Sequence, residues 1–280
     1  MDRNDVQRCL LRVPVISIND LEKVTNTTIL VHMKGNIKEE LMRRKRVLKT
    51  TEPFEIVTVK TILLDNNKEQ GVTAFINEVT ALKILGGQEG VPFFYGVCHQ
   101  STGADQLPSI VKGFVGELES PRYLMLSEPL KLYQSTLLPL ATDADWLCVT
   151  LYISRLVENL HQHFFALGDT TEDEFALDYS KLQYQRGQLS PFLIDLGKIY
   201  PLSSDCKANS EGRDDISDDL VTFGNIITNI GSTRNVELLV TLGEMCKNDD
   251  PKKRPLMQDI IKIIEKAYAL QMLEGCISQY

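Results

Sequence analysis

The chain has 280 residues, 43% hydrophobic and 24% charged, which is enough for a substantial core and far from the composition of a disordered protein. A formal charge of -8 and a pI near 5.2 count against nucleic acid and anionic membrane as partners, because both reward a basic face. Six cysteines stand singly without a C-x-x-C pair, the start Met1-Asp2-Arg3-Asn4-Asp5 is polar, and no stretch reaches the roughly 18 apolar residues of a membrane span. An intracellular, cytoplasmic protein is expected.

Residues 1–23 form a lead-in, and Thr27 to Met33 reads as a strand from its β-branched content. The basic run Arg43-Arg44-Lys45-Arg46 that follows reads as a solvated turn. Phe54 to Ile62 alternates with period two, so Phe54, Ile56, Thr58 and Lys60 share one face while Glu55, Val57, Val59 and Thr61 share the other. Thr73 to Leu85 carries Phe75, Val79 and Leu82 at helical spacing with Glu78 beside that stripe, and Gly86, Gly87 and Gly90 stop the helix. Pro92 to Cys98 and Tyr123 to Glu128 read as two further strands, the second ending at Pro129, which lacks a ladder donor and suits a linker. A first part, 24–128, is therefore expected to be β-rich. The remainder, 129–280, turns mainly helical, with helices over Trp146 to Gln162, Leu220 to Ile230, Glu237 to Cys246 and Met257 to Leu273.

Four acid-base residues punctuate this order: Lys60 at the end of a strand, Glu78 in a helix, Asp169 shortly after Leu160-His161, and Asp195 in Asp195-Leu196-Gly197. A cation fixed by a carboxylate, a second carboxylate for a metal and a third for an incoming hydroxyl are what phosphoryl transfer requires. Val57-Thr58-Val59-Lys60 resembles the strand lysine motif of protein kinases, Phe75-Ile76-Asn77-Glu78-Val79 their helix glutamate, and Phe192 to Lys198 their apolar strand followed by D-F-G. Asp219 resembles the aspartate that braces the catalytic loop, and Asp250-Pro251-Lys252-Lys253-Arg254-Pro255 a late D-P-x-x-R-P element; the matches run from about residue 54 to 268.

The resemblance implies an α+β, two-lobed protein-kinase-like fold: a small β-rich lobe with one helix over 24–128 and a larger helical lobe over 129–280. It implies ATP and Mg2+ as cofactors. Lys60, paired with Glu78, would meet the phosphates, Ser127 would stand at the gatekeeper position with Glu128 opening the hinge, Asp169 would be the catalytic aspartate and Asp195 a metal ligand. Glu174 stands where the family carries its second metal ligand, Asn, and is kept as a candidate metal ligand since carboxylate oxygens suit magnesium.

The departures fall on the same machinery. No G-x-G-x-x-G precedes Lys60, Leu167 replaces a His, Thr171 a phosphate-contacting lysine and Glu174 the Asn. No A-P-E occurs in the short segment before Asp219, so Arg254 lacks its usual glutamate unless Glu211 substitutes, and Tyr179 to Pro191 reads as an enlarged hairpin. Two functional classes stay open. One is an active kinase transferring the ATP γ-phosphate to a protein hydroxyl. The other, which the departures favour, is a pseudokinase with weak or lost phosphotransfer, with or without ATP, acting on a protein partner as a regulatory or scaffolding module.

Overall fold

The computed structural model describes residues 8–23, 32–34, 37–44, 55–62, 68–99, 107–113, 123–131, 141–178, 189–202 and 211–277. Within them the chain is a mixed α+β protein made of two units, Met1–Ser120 and Pro121–Tyr280.

The first unit holds strands β1 (Val15–Ile16), β2 (Leu21–Lys23), β3 (His32–Lys34), β4 (Ile37–Arg44), β5 (Glu55–Ile62), β6 (Phe93–Cys98) and β7 (Ser109–Gly113), with helix α1 (Lys68–Leu85) between β5 and β6. They pair in the order β1-β6-β7-β5-β4-β2, with β3 also on β4. The period-two pattern of β5 is realised as expected: Val57 and Val59 enter a core cluster with Ile16, Leu21, Met42, Cys98 and Val111. Thr58 and Lys60, at the alternate positions, are also buried. Helix α1 starts at Lys68, five residues (73−68) before the expected Thr73, because Lys68, Glu69 and Gln70 are good helix formers. It ends at Leu85 as the glycines require: Gly86 N–H donates to the Leu82 carbonyl at 3.0 Å and Gly87 takes a left-handed φ of 85°. Gly96, in the β6 bulge, has φ 139° and leaves room for the Pro14 carbonyl, which a Cβ there would meet at 2.2 Å. Of the expected strand Thr27 to Met33, residues 27–31 lie outside the described residues, and the remainder falls in β3.

The second unit contains β8 (Tyr123–Met125), α2 (Ser127–Lys131), α3 (Asp143–Gln162), β9 (Phe165–Ala166), β10 (Phe175–Asp178), β11 (Ser190–Leu193), β12 (Tyr200–Pro201), α4 (Glu211–Arg234), α5 (Glu237–Cys246) and α6 (Met257–Ile277). Its sheets are β11-β10-β8 and β12-β9. Helix α3 is buried along Trp146, Val149, Ile153, Val157 and Leu160. Its start is held by Asp145, whose Oδ2 accepts from both the N–H and the hydroxyl of Thr142 at 2.8 Å. Helix α6 lies along α3, tied at the surface by Arg155 to Glu265 at 2.9 Å.

One expectation is corrected by the structure. The strand over Tyr123 to Glu128 stops at Met125, and Pro129 lies inside α2, in the first turn, where its missing N–H would have had no helical acceptor. Strand β8 lies in the second unit and satisfies its backbone groups on β10 through the pairs Tyr123 with Asp178, Leu124 with Leu177 and Met125 with Ala176.

Candidate functional site

In the first unit the sequence places Lys60 one pleat from the end of β5 and Glu78 three residues after Phe75 on the apolar stripe of α1, so each is turned into the interior. They meet there. Lys60 Nζ donates to Glu78 Oε2 at 2.5 Å, and both side chains are 0% exposed. The second oxygen is also engaged: Lys112 Nζ, from β7, donates to Glu78 Oε1 at 2.9 Å and is equally buried. Cross-strand register explains the convergence, because Lys60 lies opposite Ile110 and Thr58 opposite Lys112, which puts both lysines on one face of the sheet. One carboxylate here takes two charge-assisted hydrogen bonds from buried ammoniums, a fixed and desolvated arrangement.

In the second unit Asp169, Glu174 and Asp195 stand on two adjoining loops. The first runs from β9 through Asp169 to Glu174. Asp219 of α4 holds its start, accepting from Leu167 N–H at 2.5 Å and Gly168 N–H at 3.0 Å, while His161 Nε2 lies 2.9 Å from the same carboxylate. Gly168 has φ 64°, and a Cβ there would stand 2.5 Å from the Lys198 carbonyl, so glycine permits the turn and the close approach of the second loop. Asp169 follows with its side chain exposed. Thr170 hydroxyl donates back to the Leu167 carbonyl at 2.6 Å.

The loop ends in a short 3-10 turn, Glu172–Glu174, capped by Thr171. Glu174 is 1% exposed, and its Oε2 accepts from the N–H and the hydroxyl of Thr171, both at 2.7 Å. Its Oε1 lies 3.1 Å from Lys198 Nζ. Lys198 also donates to the Asp169 carbonyl at 2.8 Å. Asp195 precedes it on the second loop, half-buried, with Oδ1 accepting from Gly197 N–H at 2.8 Å, an Asx turn. Ser127, buried, and Glu128, exposed, are the first two residues of α2.

The residues that the resemblance points to for magnesium are thus already engaged. Both Glu174 oxygens are taken up within the protein and one Asp195 oxygen closes a turn. Among the described residues no group of three or more His, Cys, Asp or Glu is arranged to hold a metal. As arranged, these donors do not fit a divalent cation.

Three participants escaped the sequence reading. Lys112 sits in Ser109-Ile110-Val111-Lys112, a short β-branched run with a lysine at an alternating position, and it repeats the signal that singled out Lys60. Lys198 adjoins the D-x-G triplet, but nothing local predicts its two acceptors. His161, at the end of α3, marks a spacing in the sequence, but nothing local predicts its contact with Asp219. Arg254, expected to need a glutamate, instead donates to the Ser217 carbonyl and hydroxyl, each at 2.8 Å, with Asp218 3.7 Å away. The side chain of Glu211 and the hairpin residues 179–188 lie outside the described residues.

No protein-family model matches the chain, and no curated protein matches it either.

Proposed function

We propose that this chain is a divergent protein-kinase-like module, its first unit the small β-rich lobe and its second the larger helical lobe, with weak or lost phosphotransfer. It retains ATP binding and works on a protein partner as a regulatory or scaffolding element. The observation that carries this reading is the buried contact between Lys60 and Glu78, because a strand lysine fixed by a helix carboxylate is the device that readies an ammonium for a triphosphate. The loop braced by Asp219, with Asp169 exposed on it, supports the same reading. Lys60 would meet the phosphates and Glu78 would hold it in place.

Loss of phosphotransfer follows from what stands in the other positions. Thr171 and Glu174 are spent on capping and tying their own loop, and neither offers the amide or the ammonium that the reaction would use at those places. Each missing transition-state contact costs a factor of roughly 10² to 10³ in rate, so two together are severe.

Calorimetric titration of the full chain with ATP tests the reading. Wild type should bind, and Lys60→Ala should weaken binding at least about tenfold, the equivalent of about 1.4 kcal/mol. No binding by wild type, or equal binding by Lys60→Ala, would overturn it. Magnesium-dependent phosphotransfer that Asp169→Asn abolishes would promote the active kinase instead.

A further inference from the structure

Lys198 is the most unusual component of the second unit. Its ammonium sits between two loops and is held by one backbone carbonyl, from Asp169, and one buried carboxylate oxygen, from Glu174, at 2.8 and 3.1 Å. A carbonyl and a carboxylate are the hard oxygen donors that magnesium or calcium would choose. The side chain is 37% exposed. Gly168, with the Lys198 carbonyl packed against it, brings the two loops close enough for the contact.

We propose that Lys198 is a built-in cation: between the loops of Asp169 and Asp195 it supplies the positive charge that a divalent metal would otherwise bring, and it keeps such a metal out. An ammonium is a single, fixed charge that is covalently retained, whereas magnesium is acquired from solution and demands nearly octahedral oxygen ligands at about 2.0–2.1 Å. With Lys198 in place, that geometry is blocked at Glu174 Oε1. Removing the Nζ takes the ammonium from one carboxylate oxygen and one carbonyl oxygen together. Magnesium and manganese are commonly held by one or two carboxylates with several waters, so the vacated position should accept a divalent ion. Lys198 is here a positioning residue for charge. The alternative is a plain structural tie between two loops, which predicts lost stability and no gain of metal.

This inference deepens the nucleotide reading above, but its first test needs no nucleotide. Mn2+ binding to the full chain is measured by electron paramagnetic resonance, from the loss of the free-ion signal. Wild type should hold no Mn2+ at this place, Lys198→Met should bind it at least about tenfold more tightly than wild type, and Lys198→Met combined with Glu174→Gln should lose the gain. Lys198→Met keeps the apolar stem, and Lys198→Gln is the second variant should Met disturb folding. Mn2+ affinity in wild type that Glu174→Gln removes would overturn the proposal outright, with no Lys198 variant required. So would folded Lys198 variants that bind no more Mn2+ than wild type. In a second arm, ATP affinity of wild type should be the same in EDTA and in Mg2+, while Lys198→Met should need the metal. If no ATP binds at all, the nucleotide reading fails while the Mn2+ arm still judges Lys198. If wild-type ATP binding requires Mg2+, the built-in cation is wrong and the nucleotide reading stands.

Discussion

Glu78 binds two ammoniums at once, since Lys60 and Lys112 each donate to one of its oxygens and all three side chains are wholly buried. Removing one partner of a buried charge pair commonly costs about 3–5 kcal/mol, because the charge left behind is desolvated and poorly compensated. Glu78→Ala should therefore lower stability by about that amount. Equilibrium urea denaturation of the full chain would measure it, and a loss under about 1 kcal/mol would mean that the lysines find equal compensation elsewhere. Lys112→Met, which keeps a stem of similar length and leaves Lys60 on the carboxylate, should cost less than Glu78→Ala in the same experiment.

Elements here are secured at their ends by the same device used twice. Thr142 with Asp145 starts α3, and Thr171 with Glu174 starts the turn that leads into β10; in both, one acidic oxygen accepts from the threonine N–H and hydroxyl. Asp145→Ala frees two donors at a buried helix start and should cost about 1 kcal/mol, within the range of about 0.5–2 seen for such caps. Helix α2 gains a different support, as Arg234 at the end of α4 donates to the Pro129 carbonyl at 2.9 Å while its guanidinium stacks 4.4 Å from the Trp146 ring centroid. Burial lowers the Arg234 pKa from its usual value, the expected direction for a cation partly withdrawn from water. Helices α4 and α5, joined at Asn235 with φ 58°, form the most closely associated helix pair of the second unit.

For the chain as a whole, the described helices include none long and apolar enough to cross a membrane, and no disulfide joins the described cysteines Cys9, Cys98, Cys148 and Cys246. Buried thiols make stability depend on alkaline pH. Burial pushes Cys246 up from 9.0 to about 12, against the downward pull of Arg254 and Lys247, and raises Cys98 in the same direction with help from Asp20. The folded state keeps the Cys246 proton while the unfolded chain releases its own above pH 9, so this contribution is whole below pH 9 and is lost as pH rises towards 12. Thermal melts should show the transition falling across that window, and Cys246→Ala should show a shallower fall. Equal slopes would remove Cys246 as a cause.

Local chemistry made much of this readable in advance. Period two in β5 and period 3.6 in α1 set the face on which Lys60 and Glu78 stand, while their meeting, 18 residues apart, was what the resemblance to protein kinases implied rather than the pattern itself. The glycines after Leu85 and the helical half of the chain were equally legible, because capping and propensity act between near neighbours. What could not be read was the choice among partners far apart in sequence. Lys112 reaches Glu78 across 34 residues, His161 reaches Asp219 across 58, Arg254 reaches Ser217 across 37, and Lys198 reaches the Asp169 carbonyl across 29. The pairing of strand β8 with β10 was hidden for the same reason: a short run of apolar residues satisfies any ladder, and only the packed chain decides which backbone lies alongside it. Periodicity specifies which way a side chain faces, while the identity of what it meets depends on sheet order, register and loop approach, which are properties of the folded whole.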